Sequence, residues 1–341
     1  MKSVHSYHIL LLLIVAGISA CTSVKPITAE VPPSGNPEYS LIFMIHGDAN
    51  YVFHEEGNQK YADQEALQNA FDIALEATKG EVFIFHQEPE NRILGLLPKK
   101  DRFYYHYQNG ILVDHGKYSP TDAGFDQEAA IYQAKAQTNK NQYFFYFGHE
   151  IPVTDSAVYH ASLSGPSFNA REFSNDLSKF GESIKLTVLS SCNNGNPAMI
   201  RQLADKTEAV VASPTELHLS YLDVDSVLKL EADPNQSPLT IAEQIAATSF
   251  DRLSTTMYTP VSISVYDLTL VSEYVDELYE PYQQYLEQSK TEGFIAAESF
   301  DCSTIPGYPK ELSSKGVKVF YRPAKFGKTA RDKSHSGWGC K

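Results

Sequence analysis

Several common catalytic signatures are missing from the chain. It has four cysteines and one tryptophan in 341 residues, and it contains no G-x-S-x-G stretch, no HExxH pair and no glycine-rich phosphate loop. These motifs carry the serine nucleophile of α/β-hydrolases, the zinc site of many metallopeptidases and the phosphate cradle of nucleotide-binding proteins. His46-Gly47-Asp48 is similar to the His-Gly oxyanion loop of α/β-hydrolases, but no nucleophile motif accompanies it. We therefore exclude a serine esterase and predict no cofactor and no metal.

Long hydrophobic runs are also absent, except near the N-terminus. Lys2 precedes a ten-residue apolar run, Ile9 to Ile18, which is too short to span a bilayer. The run ends in Ile18-Ser19-Ala20-Cys21, which resembles the lipobox of bacterial lipoproteins, where the cysteine is lipidated and becomes the first residue. The alternative is an ordinary secretory signal followed by a chance cysteine. We predict a signal peptide over residues 1–20 and an exported protein anchored by acyl chains on Cys21, in the periplasm or at the cell surface.

Charge is unevenly distributed along the chain. The net charge is −14, yet residues 310–341 contain nine Lys or Arg and only two acidic residues. The acidic remainder argues against nucleic acid as a partner. We expect the basic C-terminal segment to pack on the acidic body, the alternative being contact with an anionic surface.

Export places the remaining cysteines in an oxidising compartment. With Cys21 lipidated, Cys192, Cys302 and Cys340 remain, and an odd number leaves at least one as a thiol or paired with another chain. A disulfide between Cys302 and Cys340 would tie down the C-terminal segment. Cys192 would then be the cysteine left over.

Hydrophobic periodicity predicts an α/β fold. Residues 21–38 are rich in Pro, Ser and Thr and form a tether. Apolar runs typical of buried strands alternate with helical patterns, which predicts a mostly parallel, twisted sheet with helices on both faces. The predicted buried strands are Tyr39–Ile45, Glu81–Phe85, Tyr143–Phe147, Lys185–Ser190 and Glu208–Ala212.

Further elements complete the predicted domain, which spans residues 39–290 and precedes a basic extension over 291–341. The segments 103–107 and 111–114, joined by Asn109-Gly110, predict an accessory hairpin at a sheet edge. Helical patterns cover residues 216–230 and, as one long helix, 268–288. A last edge strand is predicted over 317–321.

Two reactive side chains follow successive predicted strands. His149 closes YFFYFGHE, and Cys192 closes LTVLSSC 43 residues later. If these strands are neighbours, about 4.8 Å apart, the two side chains face one another across the crevice where parallel sheets form their sites. An imidazole there can take up a thiol proton and protonate a leaving amine, while the backbone N–H groups of Cys192 and Glu150 bind an oxyanion. Taken singly, a cysteine or histidine at such a position is more often a small core residue or a structural hydrogen-bonding residue.

The order His then Cys, each after a strand, resembles the caspase-like cysteine peptidases, and in particular their clostripain-like branch. The stretch LTVLSSCNNGNPAMIRQLADKTEAVVASPTE (186–216) is similar to that branch's strand–Cys–helix–strand pattern, and VSISVYDLTLVSEYVDEL (261–278) to a later strand and helix. The resemblance covers roughly residues 39–288. It implies a caspase-like fold, a peptide or protein substrate, and endopeptidase activity through a Cys192–His149 dyad. The substrate pocket that it implies is formed by Asp48, Asn50, Ser190, Ser213 and Glu216.

The chain also departs from the pattern of that branch. Glu150 stands where the branch has Gly, and it adds negative charge beside the predicted oxyanion site. Ser190 stands where the branch has the Asp that selects basic side chains, and LHLSYLD (217–223) replaces its Gly-Trp pocket motif. These departures motivate the alternative hypothesis, a catalytically inactive binding lipoprotein on the same fold.

Overall fold

The computed structural model describes most of the chain beyond the N-terminal segment. The described residues are 35–47, 52–55, 58–89, 91–93, 97–99, 101–119, 124–137, 141–153, 168–182, 184–217, 221–292, 302–331 and 334–340. The predicted signal peptide, Cys21 and most of the tether lie outside them, as do Asp48 and Asn50. Those predictions therefore stay predictions.

Strands make up much of the described part of the chain. They are β1 (Tyr39–His46), β2 (Val52–Glu55), β3 (Asn58–Tyr61), β4 (Gly80–Gln87), β5 (Asn91–Ile93), β6 (Leu97–Lys99), β7 (Arg102–Gln108), β8 (Ile111–Tyr118), β9 (Gln142–Phe147), β10 (Ile184–Ser190), β11 (Thr207–Ala212), β12 (Val261–Asp267) and β13 (Val317–Arg322). Nine of these form one sheet in the order β13-β12-β11-β10-β9-β1-β4-β7-β8. The pairs β2–β3 and β5–β6 form separate two-stranded sheets.

The centre of the large sheet is parallel. Strands β4, β1, β9, β10 and β11 all run in one direction, and they are the five apolar runs predicted from the sequence. The predicted hairpin, β7 with β8, extends the sheet antiparallel beyond β4. Strands β12 and β13 extend it antiparallel beyond β11. The predicted fold class, a mostly parallel α/β sheet with an accessory hairpin, is confirmed.

Helices cover both faces of this sheet. They are α1 (Ala62–Glu76), α2 (Asp126–Lys135), α3 (Ala170–Leu177), α4 (Pro197–Leu203), α5 (Pro238–Thr256), α6 (Leu268–Val271) and α7 (Val275–Glu292). One hydrophobic core packs α1, α5 and a 3₁₀ helix, Asp225–Glu231, against one face. A second core packs the other helices against the opposite face. None of the helices in the described ranges is both long and apolar enough to cross a membrane.

The helix predicted over residues 216–230 is wrong for the described residues 216, 217 and 221–224. Residues 221–224 have no regular structure, and a 3₁₀ helix begins only at Asp225. The Leu222 N–H donates to Ser190 Oγ at 2.9 Å and the Asp223 N–H to Ser249 Oγ at 2.7 Å. These backbone donors bond to side chains on neighbouring elements and are therefore lost to a helix.

The helix predicted over residues 268–288 is broken into α6 and α7. Backbone N–H groups of Glu273 and Tyr274 donate three residues back, to Leu270 and Val271, instead of four. The Tyr274 hydroxyl donates to the Lys315 carbonyl, which ties this turn to the C-terminal segment. A tertiary contact therefore interrupts a pattern that is helical on both sides.

The C-terminal segment joins the same body as the sheet. Strand β13 is an edge strand of the large sheet, and Cys302 forms a disulfide with Cys340. Trp338 is fully buried, and its Nε1–H donates to the Ser313 carbonyl at 2.6 Å. The segment predicted as an extension is thus built into the hydrophobic core.

Candidate active site

The predicted catalytic pair lies at the carboxyl ends of two adjacent parallel strands. In the β9–β10 ladder Phe147 is opposite Ser190, so His149 and Cys192 each lie two residues beyond the last pair. The Gly148 N–H continues the ladder by donating to the Ser190 carbonyl at 3.3 Å. Both side chains are half-buried. The strand order on which the sequence argument depended is therefore present.

Asn194 joins the two loops that carry this pair. Its Oδ1 accepts the Ile151 N–H at 3.1 Å, and its Nδ2 donates to the Ile151 carbonyl at 2.9 Å. Asn194 is fully buried and lies two residues after Cys192, while Ile151 lies two residues after His149. The clamp, as we call this pair of hydrogen bonds, therefore fixes the spacing of the two loops.

The loop after β11 runs beside the cysteine loop. The Leu217 N–H points at Cys192 Sγ, with N and S 3.3 Å apart. The N–H groups of Asn193 and Gly195 donate to the carbonyls of Thr215 at 3.0 Å and Ser213 at 2.8 Å. A donor directed at sulfur favours the thiolate over the thiol.

Ser213 shapes this loop from beneath. It is fully buried, and its Oγ lies 2.7 Å from the Thr215 carbonyl and 2.9 Å from that of Ser262. Its hydroxyl is thus engaged with backbone, which gives Ser213 a supporting position. Glu216, in contrast, is exposed.

Two carboxylates lie close to the cysteine loop. The Asn193 Nδ2 donates to Glu150 Oε2 at 2.8 Å. Partial desolvation raises the pKa of Glu150, the charge of Glu216 raises it further, and the hydrogen bond from Asn193 opposes both effects. The sequence departure at Glu150 therefore places negative charge beside the candidate site.

Glycine is required at position 148 because the Tyr146 hydroxyl approaches the backbone of His149. The Tyr146 hydroxyl donates to the His149 carbonyl at 3.0 Å. A Cβ added to Gly148 would lie 2.4 Å from that hydroxyl oxygen, well inside van der Waals contact. The glycine therefore lets a buried tyrosine hold the backbone of His149.

A cavity lies on the face of the sheet covered by α1 and α5 and reaches Ser190, two residues before the cysteine. Its walls come from the ends of β1, β9 and β10, from α1 and from the irregular segment 221–224. Ser190, which the resemblance assigns to the substrate pocket, is one of its lining residues, and that assignment stays a prediction. The lining residues are Phe43, Ile45, Ala66, Asn69, Phe145, Tyr146, Phe147, Val188, Ser190, Tyr221, Leu222 and Val224.

Sequence reasoning missed Asn194, Tyr146 and the wall at Tyr221 and Leu222. Three asparagines and a glycine within residues 193–196 were a signal that this turn makes specific side-chain bonds, since Asn forms such bonds in turns. Its partner Ile151 is 43 residues away, so pattern alone could not supply it. In the described part of the chain no cluster of three or more His, Cys, Asp or Glu could hold a metal ion.

Comparison with known proteins gives one family match. The model of the clostripain family matches residues 152–319, a stretch that contains Cys192 and begins just after His149. No curated protein matches the chain.

Three solved structures of cysteine proteases are similar to this chain. The X-ray structure of iotapain, a secreted C11 cysteine protease from Bacteroides thetaiotaomicron, is 14% identical over 80% of this chain and 73% of its own, with a TM-score of 0.50. A secreted C11 protease from the same organism with an irreversible peptide inhibitor is 14% identical over 72% and 70%, with a TM-score of 0.49. An inactive C11 zymogen from Parabacteroides distasonis is 12% identical over 80% and 69%, with a TM-score of 0.48. The likeness to iotapain shows that the chain has the α/β fold of that protease.

Proposed function

We infer that the protein is an exported, lipid-anchored cysteine endopeptidase with Cys192 as nucleophile and His149 as acid and base, because residues 152–319 match the model of the clostripain family. The observation that carries this inference is the clamp between Asn194 and Ile151, which ties together the loops that bear the two residues. A nucleophile and a base need such fixed spacing, since small displacements cost large factors in rate.

In the proposed reaction the Cys192 thiolate attacks the scissile carbonyl. The Leu217 N–H, directed at the sulfur, helps to stabilise the thiolate before attack. His149 accepts the thiol proton and gives it to the leaving amine, and water then hydrolyses the thioester and frees the enzyme. The N–H groups of Cys192 and Glu150 are the proposed oxyanion donors. The N–H of Asn193 is not proposed as an oxyanion donor, because it already donates to the Thr215 carbonyl.

Cleavage of a broad peptide library by three variants tests this proposal. Cys192→Ala and His149→Ala should abolish cleavage and change the free energy of unfolding by no more than about 1–2 kcal/mol. His115→Ala is the matched control, because His115 is exposed on β8 and should leave cleavage intact. Equal, non-zero turnover by wild type and Cys192→Ala would refute the proposed nucleophile.

The second candidate, a binding protein without catalysis, is favoured by the carboxylate of Glu150 beside the site. A thiol-reactive peptide probe separates the two candidates. Stoichiometric labelling of Cys192 that is lost in His149→Ala supports the peptidase, because it reports a thiolate that the histidine activates. Labelling that is equal with and without His149 supports the binding protein.

Export and lipidation rest on the N-terminal sequence, and iotapain, whose fold is similar, is itself a secreted protease. Metabolic labelling with an alkyne fatty acid should mark the wild-type protein in the membrane fraction. Cys21→Ser should lose the label. If the wild-type protein carries no label, the lipid anchor is refuted and the proposal reduces to a secreted peptidase without an anchor.

A further inference from the structure

The cavity that Ser190 lines is placed to receive one side chain of the substrate. Ser190 ends β10 two residues before Cys192, and alternation along the strand places it on the same face as Val188. Cys192 lies beyond the strand and packs against the hydrophobic core that contains Val188. Ser190 is the lining residue nearest to Cys192 along the chain, so the side chain of the residue whose carbonyl Cys192 attacks can enter the cavity past Ser190.

The described walls of this cavity are apolar and carry no ionised group. Most are aromatic or aliphatic side chains, and those with a polar atom are Asn69, Tyr146, Ser190 and Tyr221. Three of these are already engaged. The Leu222 N–H donates to Ser190 Oγ, the Asn69 Nδ2 donates to Asp225 Oδ1, and the Tyr146 hydroxyl donates to the His149 carbonyl. A buried cation in the cavity would therefore lose its hydration without gaining a carboxylate among the described walls.

A closed ion pair lies behind one wall. The Arg252 guanidinium stacks 4.4 Å from the centre of the Tyr221 ring and pairs with Asp223 at 2.8 Å. The pair carries no net charge, so Asp223 is not available to a basic substrate.

We propose that this cavity selects substrates with an uncharged aliphatic side chain, such as that of leucine, on the N-terminal side of the scissile bond. The proposal rests on the peptidase function inferred above.

Fluorogenic peptides that differ only at this position test the preference. The leucine peptide should be cleaved with a kcat/KM roughly tenfold or more above that of the arginine peptide, since an apolar pocket discriminates by about this factor or more. Ser190→Asp should raise cleavage of the arginine peptide and lower that of the leucine peptide, because it places a carboxylate at the end of the cavity. Ser237→Asp is the matched control. Ser237 is the exposed N-cap of α5, where Asp is equally accepted, and the preference should not change.

Binding to Cys192→Ala separates failure of the pocket from failure of the peptidase. This variant should bind the uncleaved leucine peptide roughly tenfold more tightly than the arginine peptide in a fluorescence titration. Selective binding with no cleavage by wild type would overturn the peptidase function and support the pocket. Cleavage or binding that favours arginine, or binding of neither peptide, would overturn the pocket.

Discussion

Truncating Asn194 to alanine removes the side chain that ties the cysteine loop to the histidine loop. Both hydrogen bonds to Ile151 are lost, and a third partner, the Ser191 hydroxyl, loses its acceptor at 2.6 Å. Asn194 and Ile151 are both fully buried, so the freed backbone groups have no direct access to bulk water. The change therefore affects the spacing of the candidate catalytic residues without touching either of them.

The magnitude follows from the number of groups left without partners. A buried donor or acceptor that loses its partner costs about 1–3 kcal/mol. The space vacated by the amide can admit a water that restores part of this cost. For the N–H and the carbonyl of Ile151 together, we expect the free energy of unfolding to fall by about 2–4 kcal/mol. A displacement of the loops by about 1 Å would lower kcat/KM by up to about 100-fold.

Gln142→Ala provides the matched control for this loss. Gln142 is buried at the start of β9, and its Nε2 donates to the Tyr132 hydroxyl and to the Phe180 carbonyl, both at 2.7 Å. Its truncation should cost a similar free energy at the opposite end of β9, away from His149. Urea denaturation and peptide cleavage of both variants, at a temperature where both are folded, separate the two effects. The reasoning is refuted if Asn194→Ala is as stable as wild type, or if it cleaves peptides as fast as Gln142→Ala.

Three further predictions concern protonation and the disulfide. Burial lowers the pKa of His86 to about 4, so the unfolded chain takes up this proton first as the pH falls from 6.5 to 4. The free energy of unfolding should drop by about 3 kcal/mol from this source across that window, and chemical denaturation of His86→Gln should show a smaller dependence on pH. Replacing Cys302 and Cys340 together by serine opens a crosslink that spans 38 residues, and denaturation should show a loss of about 2–4 kcal/mol. Glu150→Gln should raise kcat at neutral pH, because it removes a negative charge beside the oxyanion. In the pH–rate profile, the excess of kcat in Glu150→Gln over wild type should shrink at acid pH, where the wild-type carboxyl is protonated. An excess that does not change with pH would contradict the electrostatic explanation.

The core of the fold was predictable because its signal is local. Five apolar runs were long enough to identify buried strands, and Asn109-Gly110 identified the hairpin that forms the sheet edge. Gly110 has a φ of +79° and Asn109 of +50°, the left-handed backbone that such turns require. The order of the strands carries no such local signal. That β1 lies between β4 and β9 depends on contacts across the whole sheet.

The candidate site was predictable only in part, for the same reason. The ends of β9 and β10 placed His149 and Cys192 from the sequence. The cavity wall at Tyr221 and Leu222 was missed, since the local pattern there favours a helix. The hydrogen bond from Leu222 to Ser190 Oγ joins residues 32 positions apart and replaces a helical one. A pattern that is read along the chain cannot detect such competition from a distant acceptor.

The turn after Cys192 shows what these distant bonds achieve together. Asn193 adopts a positive φ of 53°, Asn194 forms the clamp, and Asn196 caps α4 through the Met199 N–H. Gly195 is required because an added Cβ would lie 2.7 Å from the backbone nitrogen of Pro214. The structural contacts of each of these residues are therefore already formed in the absence of substrate. Such a turn holds the Cys192 side chain in a fixed position. The rate of attack depends on that position, so it is set by the loop contacts and not by a movement of the loop when substrate binds.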